Sequence, residues 1–506
     1  MTYTHLAKIK LHPSLKQAIA ASSVLASALF FSHFSHSQNR DVIDSLPNLG
    51  SSSAQFLSKQ QSNVLGAAYI RQARRAIRFV NDPILEDYIN ALGNKLAKHS
   101  DSSINAPDQF TFYLAQSSTV NAFAVPGGHI VINTGLIENT DNEAELASVL
   151  AHEIAHVTQN HSARGIEGSR YDSLISLATI LVAVASGSAE AAQAGVAAST
   201  GGLIQKRLAY TRRFEREADA TGIRTLYKAG YPPAATSSFL HKLQSANQFN
   251  GINAPEFLLS HPVTVSRISE AEQRIKSYPP LTKNNQSDDF IDIKARISAL
   301  YGTNAHQLSE QLAQKIASHN KEGTDISGTL YYQYGLSLAK SNKPKEALPQ
   351  LRKAVQMSPE KVAYQIAVAE TELTSKNKTA GLKQFKEIYE EHATKMPAIA
   401  LYYANALILA DQSKQAIPVL KKMLQHSPKE PDLHIMLARA YGENDLLFES
   451  YVSRSEYHYL RGNFTFAIKQ LENAIATAPN SIERSILLAK KAKVKRELEE
   501  TRKALG

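Results

Sequence analysis

Ala151-His152-Glu153-Ile154-Ala155-His156 reads H-E-x-x-H. Two histidines four residues apart share one face of a helix, one turn apart. That spacing lets both imidazoles reach one tetrahedral zinc ion. Glu153 follows the first histidine and can act as general base toward the attacking water. The bland alternative is a helix with two partly exposed histidines. A third ligand would separate the two readings, because catalytic zinc takes three protein ligands and keeps one position open. One extension of the motif, H-E-x-x-H-x-x-G-x-x-H, fails here. Gln159 stands at the glycine place and His161 arrives one residue early. A second extension is a carboxylate from another helix. Arg212-Arg213-Phe214-Glu215-Arg216-Glu217-Ala218-Asp219 supplies Glu215 and Asp219 four residues apart. Glu215 is the candidate third ligand. Asp219 is a candidate to hold a ligand histidine by its second ring nitrogen.

These residues need elements to position them. Asn142 to Leu150 is rich in helix formers and has no Pro or Gly, so a helix entering the motif is expected. Residues 55–100 carry helical periodicity through Ile84, Leu85, Tyr88, Ile89, Leu92 and Leu96. Phe110 to Leu114, Val120 to Val125 and His129 to Thr134 read as strands, the last two joined by Pro126-Gly127-Gly128. A strand edge beside a zinc cleft can bind an extended peptide by strand addition. Asn121, Ala122, Phe123 and Ala124 are the candidates, with an ordinary hairpin strand as the alternative. Leu174 to Ala185 is apolar and uncharged. A buried helical hairpin and a flap touching a membrane surface both fit it, and twelve residues cannot span a bilayer as a helix.

Together, H-E-x-x-H and the E-x-x-x-D of Glu215 and Asp219 resemble the M48 family of zinc metallopeptidases. Asn121-Ala122-Phe123-Ala124-Val125-Pro126-Gly127-Gly128 resembles that family's strand and glycine turn before the zinc helix. Ser260-His261-Pro262, with Arg267 after it, resembles the family's S-H-P-x-x-x-x-R segment. The resemblance runs from about Ala54 to Arg274. It implies that His152, His156 and Glu215 bind one zinc ion per chain, with Glu153 and Asp219 as catalytic groups. It also implies that His261 sits over the zinc, as a fourth ligand or latch. Two roles stay open for Arg267: holding the transition-state oxyanion, or anchoring the segment. His129, His161 and His241 lack partners at ligand spacing and read as surface or satisfied histidines.

Beyond the polar, Pro-bearing stretch 277–289 the chain is helical with a period near 34. Gly335, Ala347, Leu351, Ala354 and Pro359 fall at the small and turn positions of a tetratricopeptide repeat. Ala404, Ala416, Leu420, Met423 and Pro428 repeat them 69 residues on. Ala467, Leu471, Ala474 and Pro479 mark another unit. The units around Ala369, Gly381 and Phe385, and from Ala438 to Ser450, are degenerate. Stacked helix pairs of this kind form a concave binding surface.

The compartment is read from the start of the chain and from composition. Lys8, Lys10 and Lys16 precede an uncharged run from Ala18 to Phe31, and Ser35-His36-Ser37 offers small residues for cleavage. Residues 1–37 are therefore expected to be a signal peptide, with Gln38 as the mature N-terminus. The 506 residues contain no cysteine, which excludes disulfides and any Cys-type zinc site. The net charge of +10, with a cluster over Lys490 to Arg496, comes with no nucleic-acid motif. Anionic membrane surfaces or partner proteins match it better in an exported chain.

The expected architecture is an α+β zincin-like (gluzincin) metalloprotease domain over 38–276, a linker over 277–289, and an all-α tetratricopeptide-repeat solenoid over 290–506. The expected function is a periplasmic zinc endopeptidase, exported by a cleaved signal peptide and peripheral to the outer membrane. The resemblance implies outer-membrane β-barrel substrates and the β-barrel assembly machinery as partners, met through the repeats, with no nucleic acid. The alternative is a chaperone or assembly scaffold that acts by binding while its protease stays latent.

Overall fold

In the computed structural model, residues 58–101, 107, 109–165, 201–250, 257, 261–281, 285–375, 377–394 and 396–505 are described. The expected signal peptide, the apolar stretch Leu174 to Ala185, and Ser260 lie outside them. Residues 53–506 form one compact unit.

The peptidase part begins with helices α1 (Lys59–Ala76) and α2 (Pro83–Ala97). Asp82 caps α2, its Oδ1 accepting from the Ile84 and Leu85 amides, and Pro83 fits the first turn. Strands β1 (Thr111–Ala115), β2 (Ala122–Val125) and β3 (His129–Asn133) follow. β3 is central, parallel to β1 and antiparallel to β2. Residues 78–80 hydrogen-bond along the outer side of β1. No strand among the described residues covers the outer side of β2. The Asn133 amide donates to Asn121 O at 3.0 Å. In an antiparallel ladder alternate residues bond across, so Ala122 and Ala124 turn their backbone groups to the open edge.

Helix α3 (Thr134–Asn139) leads into α4 (Glu143–Thr158), which carries the H-E-x-x-H motif. Every residue of α4 from Glu143 to Ala155 is buried, so α4 runs through the core. Asn142 caps it, accepting from the Glu145 amide at 3.0 Å. Two buried glutamates then fix its first turn. Glu143 accepts from Tyr88, Tyr231 and the Ser287 amide, and Glu145 from Ser238 and Lys242. These acids also face the positive end of the helix dipole. Helices α5 (His161–Gly165), α6 (Gly201–Lys228), α7 (Ala234–Asn250) and α8 (Val265–Ile275) complete this part.

The all-α part starts with α9 (Phe290–Tyr301) and α10 (Ala305–Glu322). Five helix pairs follow: α11 (Gly328–Lys340) with α12 (Pro344–Met357), α13 (Val362–Thr374) with α14 (Lys378–His392), α15 (Ala398–Leu409) with α16 (Ser413–His426), α17 (Pro431–Gly442) with α18 (Leu447–Leu460), and α19 (Phe464–Ala476) with α20 (Ser481–Leu505). Each helix packs on the next in sequence, which makes a solenoid. The two degenerate units keep this architecture. A Cβ on Gly381 would come 2.6 Å from Leu373 N, so glycine permits the α13–α14 approach. Ser450 takes a small position in α18 and donates to Ala438 O at 2.7 Å.

The stretch expected as a linker is fastened to the peptidase part. The Asn285 amide donates to Gly230 O, and the Ser287 amide to Glu143. Phe290, Ile293 and Ile297 of α9 share a hydrophobic core with Leu150 and Ile154 of α4. The division proposed at 289/290 is therefore a packed seam. A fully buried guanidinium closes it. Arg296 donates to Asp82 Oδ2 at 2.8 Å and to the Tyr332 and Tyr402 hydroxyls at 3.0 Å each. The far end of the solenoid also meets α1, through Arg71–Glu497 at 3.7 Å and Arg74–Glu430 at 3.9 Å. Among the described residues no helix is long and apolar enough to cross a membrane.

Candidate metal centre and active site

The site lies where α6 crosses α4. Glu215, Asp219 and Gly222 fall on one face of α6, at i, i+4 and i+7. A Cβ on Gly222 would come 3.1 Å from His152 N, so glycine lets the two helices close. That approach carries the carboxylates onto the histidines. The segment before α8 brings in His261, whose amide donates to Phe257 O at 2.7 Å and whose ring stacks on Phe257.

His152, His156, Glu215 and His261 each offer a ligand atom, and these atoms lie within 4.8 Å of one another. His152 Nε2 is 3.0 Å from His156 Nε2 and 3.3 Å from His261 Nδ1. Glu215 reaches His152 Nε2 and His156 Nε2 at 3.4 Å each, and His261 Nδ1 at 3.1 Å. Glu153 is buried, and its Oε1 has no hydrogen-bond partner among the described residues; His261 Nε2 lies 3.5 Å away.

Asp219 and Arg267 stand behind the cluster. Asp219 Oδ1 is 3.0 Å from His152 Nδ1. Arg267 grips Asp219 with two donors at 2.8 Å each and reaches Glu215 Oε2 at 2.9 Å and Pro262 O at 2.9 Å. The structure thus brings together all seven residues expected at the centre. The strand Ala122 to Ala124 lies alongside, because β2 packs on α4.

Burial and charge set the titration of these groups. Burial alone would lower the His152 pKa, but Asp219 and Glu215 outweigh it and raise it to about 10. Positive charge is favoured at that point, as a proton or as a cation. Burial dominates at His156 and lowers it to about 3. Burial would raise Glu215, but His261, His152 and His156 hold it well below the usual carboxylate range. Asp219, which burial would also raise, is held at about 2 by His152 and Arg267. Burial raises Glu153. The site therefore combines two fixed anions with one carboxyl suited to accepting and releasing a proton.

The donor set fits a metal ion. Asp219 accepts a hydrogen bond from the Nδ1–H of His152, which leaves the Nε2 lone pair aimed into the cluster. A buried carboxylate and two further imidazoles converge on the same point. Imidazole and carboxylate donors without thiolate suit a divalent transition metal.

Residues 83–275 match the sequence profile of peptidase family M48. The chain is 33% identical over 439 residues to the β-barrel assembly-enhancing protease of Yersinia pestis, covering 86% of this chain and 88% of that one. The chain belongs to the M48 peptidases. The Escherichia coli (strain K12) protein of the same name is 32% identical over 443 residues, with 86% and 88% covered. A shorter match, 30% identical over 28% of this chain and 27% of the relative, is to the mitochondrial metalloendopeptidase OMA1 of Arabidopsis thaliana. This M48 enzyme is a metallopeptidase followed by a helical repeat region.

Spacing arguments missed three residues of this metallopeptidase. His161, read as a surface or satisfied histidine, is buried, and its Nδ1 lies 2.9 Å from His156 Nδ1. Glu217 and Arg164 stand behind it. The available signal was Asn160, whose φ of 54° turns the chain out of α4 and folds the next residue back. Of the other two histidines read as surface or satisfied, His129 meets Tyr113 and His241 meets Glu272.

Proposed function

We propose that this chain is a periplasmic zinc endopeptidase of outer-membrane protein quality control. It would degrade misassembled β-barrel proteins and assist their assembly. The converging donors His152, His156 and Glu215 carry the metal part of this reading. The relatives' name supports the β-barrel part. Zinc held by these three residues would supply a Lewis acid that polarises the scissile carbonyl. The chain's own residues do the rest. Glu153 takes a proton from the attacking water and passes it to the leaving amine. Asp219 fixes the His152 ring, and Arg267 holds Asp219 and Glu215 in place. All described Arg267 contacts point to anchoring rather than to an oxyanion. The open edge of β2, through Ala122 and Ala124, accepts the substrate as an added strand, flanked by Asn121 and Phe123. Export would use residues 1–37, and N-terminal sequencing of periplasmic protein should begin at Gln38.

Metal analysis tests the ligand set. The purified full-length chain is expected to hold one zinc ion. His152→Ala, His156→Ala and Glu215→Ala should each lower zinc content, because three ligands share one tetrahedral ion. Full zinc in Glu215→Ala would remove Glu215 from the set.

His261 supports a second reading, in which the protease rests latent and the repeats do much of the work. Its Nδ1 stands at the donor cluster, where a fourth protein donor competes with the water. His261→Ala is then expected to raise casein cleavage or self-cleavage at unchanged zinc content. Lower cleavage at unchanged zinc would instead assign His261 to the transition state. The scaffold reading itself requires that a Glu153→Gln chain still support outer-membrane assembly and still capture β-barrel assembly components. Loss of the biological role in that variant would return the function to proteolysis.

A further inference from the structure

Each motif histidine turns Nε2 toward the donor cluster and Nδ1 away from it. Behind His152 the sequence of contacts is His152 Nδ1 to Asp219 at 3.0 Å, then Asp219 to Arg267. Behind His156 a matching series uses different residues. His156 Nδ1 lies 2.9 Å from His161 Nδ1. His161 Nε2 lies 3.6 Å from Glu217 Oε2. Arg164 grips Glu217 with two donors, at 2.9 and 3.0 Å. His161 is 4% exposed, and its ring stacks on Phe214 with centroids 4.6 Å apart.

We propose that His161 is the positioning residue for His156, fixing its tautomer and ring orientation through a His161–Glu217–Arg164 relay. The proposal rests on His156 being a metal ligand, as read above. Two imidazole nitrogens 2.9 Å apart need one hydrogen between them. With that hydrogen on His156 Nδ1, the His156 Nε2 lone pair is free to ligate. His161 then accepts at Nδ1 and carries its own proton on Nε2, facing the Glu217 carboxylate. The reverse assignment puts a proton on His156 Nε2, where it blocks ligation, and turns a His161 lone pair toward Glu217. Only the first assignment leaves the His156 Nε2 lone pair free for a metal and turns a proton, rather than a lone pair, toward the Glu217 carboxylate 3.6 Å from His161 Nε2. Arg164 keeps Glu217 aligned, so the relay selects the ligating form of His156. Outer-shell partners of this kind typically hold ~10–100-fold of a site's metal affinity.

Two substitutions separate positioning from packing. His161→Phe keeps a ring against Phe214 and removes both nitrogens. His161→Asn returns an amide oxygen near the Nδ1 position. Zinc affinity is measured on the metal-free full-length chain by competition with a chromophoric chelator, and the cobalt-substituted forms are compared by visible absorption. His161→Phe should bind zinc ~10–100-fold more weakly and shift the cobalt bands, while the melting temperature of its metal-free form stays at the wild-type value. His161→Asn should regain part of the affinity. Glu217→Gln, on a half-buried side chain, should show a smaller loss in the same direction and serves if His161→Phe does not fold. Wild-type affinity and cobalt spectrum in His161→Phe would overturn the proposal. So would equal losses in the Phe and Asn variants accompanied by a lower metal-free melting temperature, which would assign His161 to packing. His156→Ala is the control: if it binds zinc normally, the ligand reading fails; if it does not and His161→Phe does, only the relay fails.

Discussion

Glu153→Gln is expected to keep its metal and to lose peptide hydrolysis by about 10²–10⁴-fold. The substitution preserves shape at a residue that is 1% exposed, so it opens no cavity beside the ligands. Among the described residues it removes the only carboxylate at the centre that is neither a candidate ligand nor locked by an arginine. Glu215 is engaged by His152, His156, His261 and Arg267, and Asp219 by His152 and Arg267. Neither is free to take a proton from water. Casein cleavage and zinc content measured on the same preparation check both halves. Residual activity within tenfold of wild type would mean that another group supplies the base.

Arg296→Met is expected to destabilise the chain by about 3–5 kcal/mol, the usual result of leaving a buried partner charge uncompensated. Arg296 is the largest fully buried side chain among the described residues. It neutralises Asp82 and satisfies two tyrosine hydroxyls, and Glu370 lies 3.6 Å away. Asp82 also caps α2, so the loss reaches the peptidase core. Adding Asp82→Asn should recover part of the loss, because asparagine keeps the cap and removes the unpaired charge. Urea unfolding of the single and double variants measures the difference. A double variant no more stable than Arg296→Met would show that the charge pair is not what costs.

The features legible in the sequence are the periodic ones. His152 with His156, and Glu215 with Asp219, each sit one turn apart on a helix, so a linear pattern carries their geometry. The repeat pairs were readable for the same reason, through small residues at fixed intervals. Ser450 and Gly381 hid two of those pairs, since serine and glycine can fill a position that alanine usually marks. Contacts between distant segments left no such trace. Arg296 meets Asp82 across 214 residues, and Tyr402 meets Asp82 across 320. That seam is why a polar stretch with linker composition turned out to be fastened to the peptidase part. His161 was passed over because ligand spacing asks which nitrogens face a metal. The second nitrogen of a ligand also needs a partner, and a turn residue one step past the helix was placed to supply it.

The claim that matters most is that His152, His156 and Glu215 hold one zinc ion. Anomalous diffraction at the zinc edge, from crystals of the full-length chain, tests it directly. The expected result is a single strong peak bounded by those three side chains, with Glu153 beside it. A map with no peak there, or with its peak at any other set of residues, would contradict the account.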